Sequence, residues 1–574
     1  MPIEPPAEPP AEPTRTEPGF PPHRTESPAN PSAAGAVAVG RRPPDLRRVT
    51  DWTVFGVAAV ISCAIVLWGV GWTDSLAGVA TAVLGWLVDN LGWLFVLAAT
   101  GFVVFALWVA LGRYGKIPLG RDGEQPEFRT VSWIAMMFSA GMGIGLMFYG
   151  VTEPLTHFVE PPPGAREGIG TAMATTLFHW TLHPWAMYAV MGLALAYSTY
   201  RLGRPQLISA AFWPLLGETR ARGPVGKAID IMAIFATLFG SAASLGLGAL
   251  QIGAGFQANG WLSSPGNALF VTIIVVLTVA FIVSAVSGVA KGIQWLSNTN
   301  MVLALVLATF VFVVGPTVLI LNLIPTAVGD YFRDVATMSA RTAAAGGDAT
   351  SDWLSSWTIF YWAWWISWTP FVGMFIARIS RGRTIRQFVA GVIAVPSVVS
   401  LVWFAVFGGA AISAQRGGTD IAGQGGVEAQ LFGLLDTFPL AAVTSVLVMV
   451  LVAIFFVSGA DAASVVLGTL SQRGNQQPQT WNVVFWGSAT GAVAVVMLLV
   501  GGSDALTGLQ TLTIIAAAPF ALLMIALCVS LARDLRTDPM IVVDRAIEQQ
   551  LRKQHNTAQD GSAARRAAAS SAVD

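Results

Sequence analysis

Residues 139–150 read Ser-Ala-Gly-Met-Gly-Ile-Gly-Leu-Met-Phe-Tyr-Gly, a glycine-studded piece of the uncharged stretch 131–152. A stretch of that length can cross roughly 30 Å of hydrocarbon, yet each interior glycine costs a helix about 1 kcal/mol. Gly141, Gly143 and Gly145 at alternate positions therefore favour local unwinding. Close packing against a neighbouring helix is the competing explanation, but a spacing of two turns successive glycines about 200° apart, onto opposite faces. Unwound backbone at membrane depth survives only where it is buried in protein or lines a cavity. The segment thus predicts a helical membrane protein with a broken span that faces a solute. Freed amides there suit a carboxylate, and freed carbonyls suit a sodium ion.

The rest of the chain agrees about the solvent. Of 574 residues 54% are hydrophobic and 11% charged, with a mean hydropathy of +0.63. Soluble domains carry about 25% charge, so most of this chain is built for lipid. The formal net charge is zero, which gives no global attraction to nucleic acid. Cys63 and Cys528 both sit inside apolar runs, so no disulfide framework or thiolate metal cluster is expected. An enzyme is not expected either. His23, His157, His179, His183 and His555 are scattered and form no HExxH motif, and no GxSxG accompanies them. His179 and His183 share a helix at i, i+4 but lack a third ligand, so no metal beyond sodium is predicted.

Apolar runs recur twelve times, at 52–72, 90–112, 131–152, 174–200, 228–256, 267–290, 299–323, 356–377, 387–409, 438–468, 481–502 and 508–532. With the N-terminus inside, inner loops hold fifteen cations, from Arg113 to Arg473, against Arg166, Arg333, Arg341 and Arg416 outside. That alternation predicts twelve spans in a bacterial cell membrane with both termini cytoplasmic. Residues 1–48, rich in Pro, Glu and Ala with six acids and six arginines, read as a disordered cytoplasmic tail. Residues 49–535 form the membrane domain. Residues 536–574 read as a second cytoplasmic tail, with a short amphipathic helix at 539–553 and a disordered Ala/Ser-rich end.

The eighth run is unusual for its tryptophans: Trp357-Thr-Ile-Phe-Tyr-Trp-Ala-Trp-Trp-Ile-Ser-Trp-Thr-Pro370. Tyr361, Trp364, Trp365 and Trp368 fall at i, i+3, i+4 and i+7 and form one stripe that runs into Pro370, which predicts a second interrupted span. Interfacial tryptophans would cluster at a span end instead. The fourth run adds Trp180, Trp185 and Tyr188 around His183-Pro184, on an arc of about 140° at roughly 100° per residue. Two aromatic faces can form a box for a bulky, poorly hydrated cation, and quaternary ammonium is the typical ligand of such boxes. Ordinary aromatic packing is the alternative. A channel would need repeated pore motifs rather than two dissimilar broken spans. Glu153 and Asp461 sit at the ends of glycine-containing segments and read as capping or gate-stabilising groups, outside the site itself.

At these residues the chain resembles the betaine/choline/carnitine transporter family, above all its sodium-coupled, betaine-importing members. GMGIGLMFYGVTEPLTHF (141–158), FHWTLHPWAMYA (178–189), SLGLGALQIGAGF (244–256) and FYWAWWISWTPFVGMFIARISRGR (360–383) carry the resemblance, which spans about 50–535. It implies an all-α integral membrane fold of twelve transmembrane helices. Two inverted five-helix repeats form a LeuT-like core preceded by two extra helices, in a homotrimer embedded in lipid. It also implies an osmoprotective importer of a compatible solute by sodium symport, the alternative being a transporter of choline, carnitine or another trimethylammonium or ectoine-type solute, with protons as the other coupling ion. The aromatic box maps onto Trp180, Trp185, Tyr188 and Trp365, with Trp364 and Trp368 beside it and Phe360 at an outer gate. The glycine segment maps onto Ala140 to Gly145, and neutral Gly145, where choline-type members carry aspartate, suits a zwitterion such as glycine betaine. One sodium site would take Ser139, Met142, Phe455 and Ser458, and a second Thr237, Ser241 and Phe371. Gly459 departs from the pattern, standing where a second hydroxyl is expected. Residues 231–290 hold no charged side chain that could replace the ion.

Overall fold

The computed structural model describes residues 49–570, apart from Met142, Gly288, Val289, Gln424 and Ser503. The expected N-terminal tail, residues 1–48, lies outside the described residues. Those described are helical with connecting turns, and their one extended pairing is a bridge between Pro118 and Thr384. In chain order the main helices begin with α1 (Trp52–Gly71), α2 (Thr73–Leu111), α3 (Thr130–Gly141), α4 (Ile144–Val159) and α5 (Ile169–Trp180). Then come α6 (Leu182–Ala196), α7 (Pro224–Ala258), α8 (Asn267–Ser287), α9 (Ala290–Val314), α10 (Thr317–Ser339) and α11 (Phe360–Ile379). The last are α12 (Ile385–Arg416), α13 (Ala441–Ser471), α14 (Thr480–Val500), α15 (Ala505–Arg536) and α16 (Pro539–Ser570).

Eight of these, α1, α2, α7, α8, α12, α13, α14 and α15, are long and apolar enough to cross a membrane. Their surroundings differ. The most apolar stretch of α7 is 83% buried within the protein, against 22% for α1 and α8. The outer faces of α1 and α8 carry Val60, Leu67, Val79 on neighbouring α2, and Val283, all exposed, as a lipid-facing surface requires. Helix α7 is the shaft around which the others pack.

Several boundaries depart from the expected runs. Helix α2 starts at Thr73 rather than near 90, because nothing proline-like interrupts residues 73–89. The seventh run ends early, at Gly315-Pro316, where α9 and α10 meet at a 109° bend. Helix α16 runs to Ser570 instead of stopping near 553, in keeping with the helix propensity of its alanines. Elsewhere caps hold the ends: the Asp51 carboxylate accepts the Thr53 and Val54 amides at 3.1 and 3.2 Å, and Thr384 and Gln387 form a capping box on α12.

Two breaks shape the centre. Helix α3 stops at Gly141 and α4 starts at Ile144, with Gly143 fully extended at φ −170°, so the glycine segment is interrupted as the sequence predicts. A second break, between α5 and α6 at Thr181, was not expected. Pro184 has no amide for the Trp180 carbonyl four residues back and its ring crowds that carbonyl, so the helix restarts. Pro370, by contrast, does not interrupt α11, which runs through it. The Ile366 carbonyl that the proline leaves free accepts the Thr369 hydroxyl at 2.7 Å, which mends the ladder locally.

Helices α6 and α11, which carry most of the aromatic residues, lie against each other through Gly192 and Gly373. A Cβ on Gly192 would stand 2.7 Å from Ile376 Cγ1, and one on Gly373 would collide with Met191. Gly373→Val should therefore push the helices apart, at about 1–3 kcal/mol of overpacking. The expected readout is a melting temperature several degrees below wild type in detergent; an unchanged value would show that the seam is not tight.

Candidate functional site

The two broken segments and α11 converge on one cavity. Gly143, Ile144, Gly145 and Leu146 supply one wall, and Trp180, Trp185 and Tyr188 a second. Trp364, Trp365 and Trp368 of α11 close a third side, with Ser244 of α7 and Ser400 of α12 between them. Eight of the nine residues expected to bind the solute thus meet in one place. Gly141, the ninth, ends α3, and its surroundings lie outside the described residues.

The rings stand edge to face. Trp180 meets Trp365 at 5.0 Å and 83°, Tyr188 meets Trp365 at 5.9 Å and 88°, and Trp185 meets Tyr188 at 5.2 Å and 71°. Trp364 and Trp365 are stacked at 5.2 Å. Such an array exposes several electron-rich faces to one small volume. The volume left for water centres is ≈ 40 Å³, about three waters' worth by the room one water needs. The rings must part to admit anything larger.

Polar handles are few. The Tyr188 hydroxyl and the Trp368 indole nitrogen are buried without a hydrogen-bond partner. Trp364 Nε1 donates to Ser244 Oγ at 3.2 Å. Gly145 has a steric reason to be glycine, since a Cβ there would lie 2.7 Å from Trp364 Cη2 and 2.9 Å from Trp180 Cη2. Gly143 has none of that crowding, and a Cβ there meets nothing within 4 Å. Ile144 belongs to the expected glycine segment, whereas Ser244, Ser400 and Leu146 are additions to the wall that no periodicity marks.

Behind the box lies a cluster that the sequence reading left outside the site. The Glu153 carboxylate accepts Trp180 Nε1 at 2.6 Å and the Tyr361 hydroxyl at 2.5 Å, and pairs with His179 Nδ1 at 2.6 Å. His179 Nε2 meets Thr358 Oγ1 at 3.0 Å, and the His179 carbonyl accepts Trp365 Nε1 at 2.9 Å. Glu153, His157 and His179 have ligand atoms within 4.8 Å of one another, the third partner that His179 lacked in sequence. The Glu153–His179 contact has the geometry of a hydrogen bond. Two ligands at 2.0–2.1 Å on a tetrahedral ion stand about 3.3 Å apart, well beyond the Glu153–His179 separation. His183 is elsewhere, stacked on Trp362 at 5.3 Å. Asp461 does not line the cavity.

Phe360, expected at a gate, is 1% exposed and stacks on Trp364 at 5.6 Å without reaching the cavity wall. Of the residues expected around sodium, Met142 and the side chain of Ser139 lie outside the described residues. The Ser458 hydroxyl donates to its own helix, to the Ile454 carbonyl at 2.8 Å, the self-bonding common in membrane helices. A Cβ on Gly459 would meet nothing within 4 Å, so no neighbouring side chain has filled the missing hydroxyl's place. At the other set, Thr237 Oγ1 is buried with no partner and Ser241 is buried one turn on. There α7 touches α11 at Gly240, whose Cβ would stand 2.8 Å from Trp368, and Phe371 packs on that tryptophan at 5.5 Å.

Comparison with known proteins bears on this arrangement. The model of the betaine/carnitine/choline family transporters matches residues 53–540. The betaine/ectoine transporter LcoP of Corynebacterium glutamicum is 47% identical over 501 residues, covering 86% of this chain and 79% of the relative. The glycine betaine transporter OpuD of Bacillus subtilis is 45% identical over 489 residues, 84% of this chain and 94% of its own. Among solved structures, a Na⁺-coupled sialic acid symporter covers 75% of this chain and 85% of its own at 11% identity and a TM-score of 0.42, too loose a likeness to bear on the fold. With nearly 500 consecutive residues matched, among them every wall of the cavity, the chain belongs to the betaine/carnitine/choline family of transporters.

Proposed function

We infer that the protein is a secondary active importer of glycine betaine, coupled to sodium and working by alternating access around the aromatic cavity. The observation that carries this reading is the pairing of tryptophan faces with an unwound glycine segment in a single enclosed space. A trimethylammonium group has no hydrogen to donate, so ring faces recognise it where hydrogen-bond acceptors cannot. The carboxylate of the same solute fits the free amide side of the break at Gly143–Gly145 and the unpartnered Tyr188 hydroxyl. Two relatives bear betaine in their names, which favours that cargo, and one also bears ectoine. The narrowness of the cavity fits a carrier that closes around its cargo. Twelve crossings, with α3–α4 and α5–α6 as broken spans, would place both termini in the cytoplasm, in a homotrimeric assembly in the cell membrane.

The solute class is tested by competition. Radiolabelled betaine uptake into proteoliposomes should be displaced by excess unlabelled betaine, and more weakly by choline or carnitine. If choline or ectoine displaces it better than betaine itself, the cargo has been misassigned.

For the ion, the bare Thr237 hydroxyl beside Ser241 and Phe371 is the better candidate, because hard cations want oxygen ligands that are not already engaged. Thr237→Val should raise the sodium concentration for half-maximal uptake about tenfold or more, losing roughly 1.4 kcal/mol of ion binding. Ser458→Ala, whose hydroxyl already serves its own helix, should change it less than about threefold, since removing such a back-bond costs little. Sodium titrations of uptake that reversed this order would move the coupling site to Ser458.

A further inference from the structure

Glu153 is fully buried on α4, one indole ring behind the cavity, and lines no part of it. Two of its close partners are donors, and the third is a histidine nitrogen. Trp180 Nε1–H can only donate, the Tyr361 hydroxyl lies 2.5 Å from the same oxygen, and His179 Nδ1 faces the other at 2.6 Å. Thr358 Oγ1 lies 3.0 Å from His179 Nε2 and can donate to it, which is the arrangement that leaves the Nδ1 proton directed at Glu153. His157 Nε2 stands 3.6 Å from the carboxylate, too far for a hydrogen bond, and both its ring nitrogens are buried without partners. The Tyr149 hydroxyl is also unpartnered, its ring 6.1 Å from Trp180 and 5.4 Å from Tyr361. The nearest guanidinium on this side, Arg341, sits over Trp353 rather than on Glu153. Among the described residues, no lysine or arginine pairs with the carboxylate.

We propose that Glu153 is the counter-charge of the aromatic box, a positioning and specificity-determining residue that makes the cavity select a cation; this rests on the reading of the cavity as a betaine site. Two effects act together. A charge-assisted hydrogen bond to an indole N–H polarises the ring and makes its π face more negative, and the attraction of a cation to that face is electrostatic. The carboxylate's own charge also reaches the cavity through protein that screens it poorly. The same residue fixes geometry: it holds Trp180 directly, Trp365 through the His179 main chain, and the Tyr361 ring, which stacks on His179 at 4.7 Å and 15°. Residues from α4, α5 and α11 are thereby tied to one negative charge. A solute bearing a positive head completes the charge balance that the protein leaves open.

The test compares betaine with 3,3-dimethylbutanoate, which replaces its quaternary nitrogen by carbon and keeps shape and carboxylate. Binding of each to the full-length purified protein is followed by intrinsic tryptophan fluorescence. Wild type should bind betaine much more tightly than the carbon analogue. Glu153→Gln should weaken betaine about tenfold or more while changing the analogue less than about threefold, because only the cation feels the lost charge. A role confined to holding the rings would weaken both ligands by the same factor, and that result, or no change in either, overturns the proposal. Glu153→Asp keeps the charge and should keep the preference for betaine. Should Glu153→Gln not purify as a monodisperse protein, Glu153→Asp decides alone, and loss of the preference there overturns the proposal. Absence of saturable betaine binding by wild type would instead overturn the reading of the cavity, and this inference with it.

Discussion

Replacing Trp365 by alanine should abolish betaine uptake at micromolar concentrations. Trp365 touches three other rings of the box, stacked on Trp364 and set edge to face with Trp180 and Tyr188. Its removal deletes a ring face in a desolvated site, where a cation–π contact is worth about 2 kcal/mol. It also strips the His179 carbonyl of its indole donor and so loosens the mount of the Glu153 network. Together these should weaken betaine by at least about thirtyfold, at roughly 1.4 kcal/mol per tenfold. Trp365→Phe keeps a face and loses only the N–H, so its loss should stay within about tenfold. Uptake and fluorescence binding on the same preparations check both. Wild-type affinity in Trp365→Ala would mean that the cation sits elsewhere.

Gly145→Ala should be nearly as damaging, for a different reason. One methyl group at this position would lie 2.7 Å from Trp364 and 2.9 Å from Trp180. Neither ring can give way cheaply, because Trp180 is held by Glu153 and Trp364 by Ser244. Overpacking of this kind costs about 1–3 kcal/mol, and here it acts on the very rings that would receive the solute. Betaine binding should fall by about tenfold or more, with the protein still monodisperse. Gly143→Ala is the control, since a Cβ there meets no protein atom within 4 Å and its extended backbone accepts any residue. If the two variants behaved alike, backbone flexibility rather than ring placement would be the function of the glycines.

What could be read from the sequence follows from which constraints act locally. Lipid forbids exposed backbone, so apolar runs had to be helices, and their charged flanks were legible one loop at a time. The tryptophan stripes were legible because side chains three and four apart share a helix face, and Trp364, Trp365 and Trp368 do line one cavity. Proline was read less well. Pro184 carries the signal for the Thr181 break, although the aromatics around it dominate the pattern; Pro370 predicts a break that the structure lacks, because a neighbouring threonine serves the freed carbonyl. Phe360, expected at an outer gate, stacks on cavity-lining Trp364 without itself forming part of the wall. Glu153 reads from sequence only as a capping or gate-stabilising group. Its partners lie 26, 27 and 208 residues away, and no local pattern announces contacts of that kind.

The most direct measurement is accumulation of radiolabelled glycine betaine in proteoliposomes containing only this protein, with and without an inward sodium gradient. Uptake should be saturable, should rise above the equilibrium level only when sodium is higher outside, and should vanish in Trp365→Ala. Betaine that never accumulates under the gradient, or that accumulates equally with potassium in place of sodium, would contradict sodium-coupled betaine import.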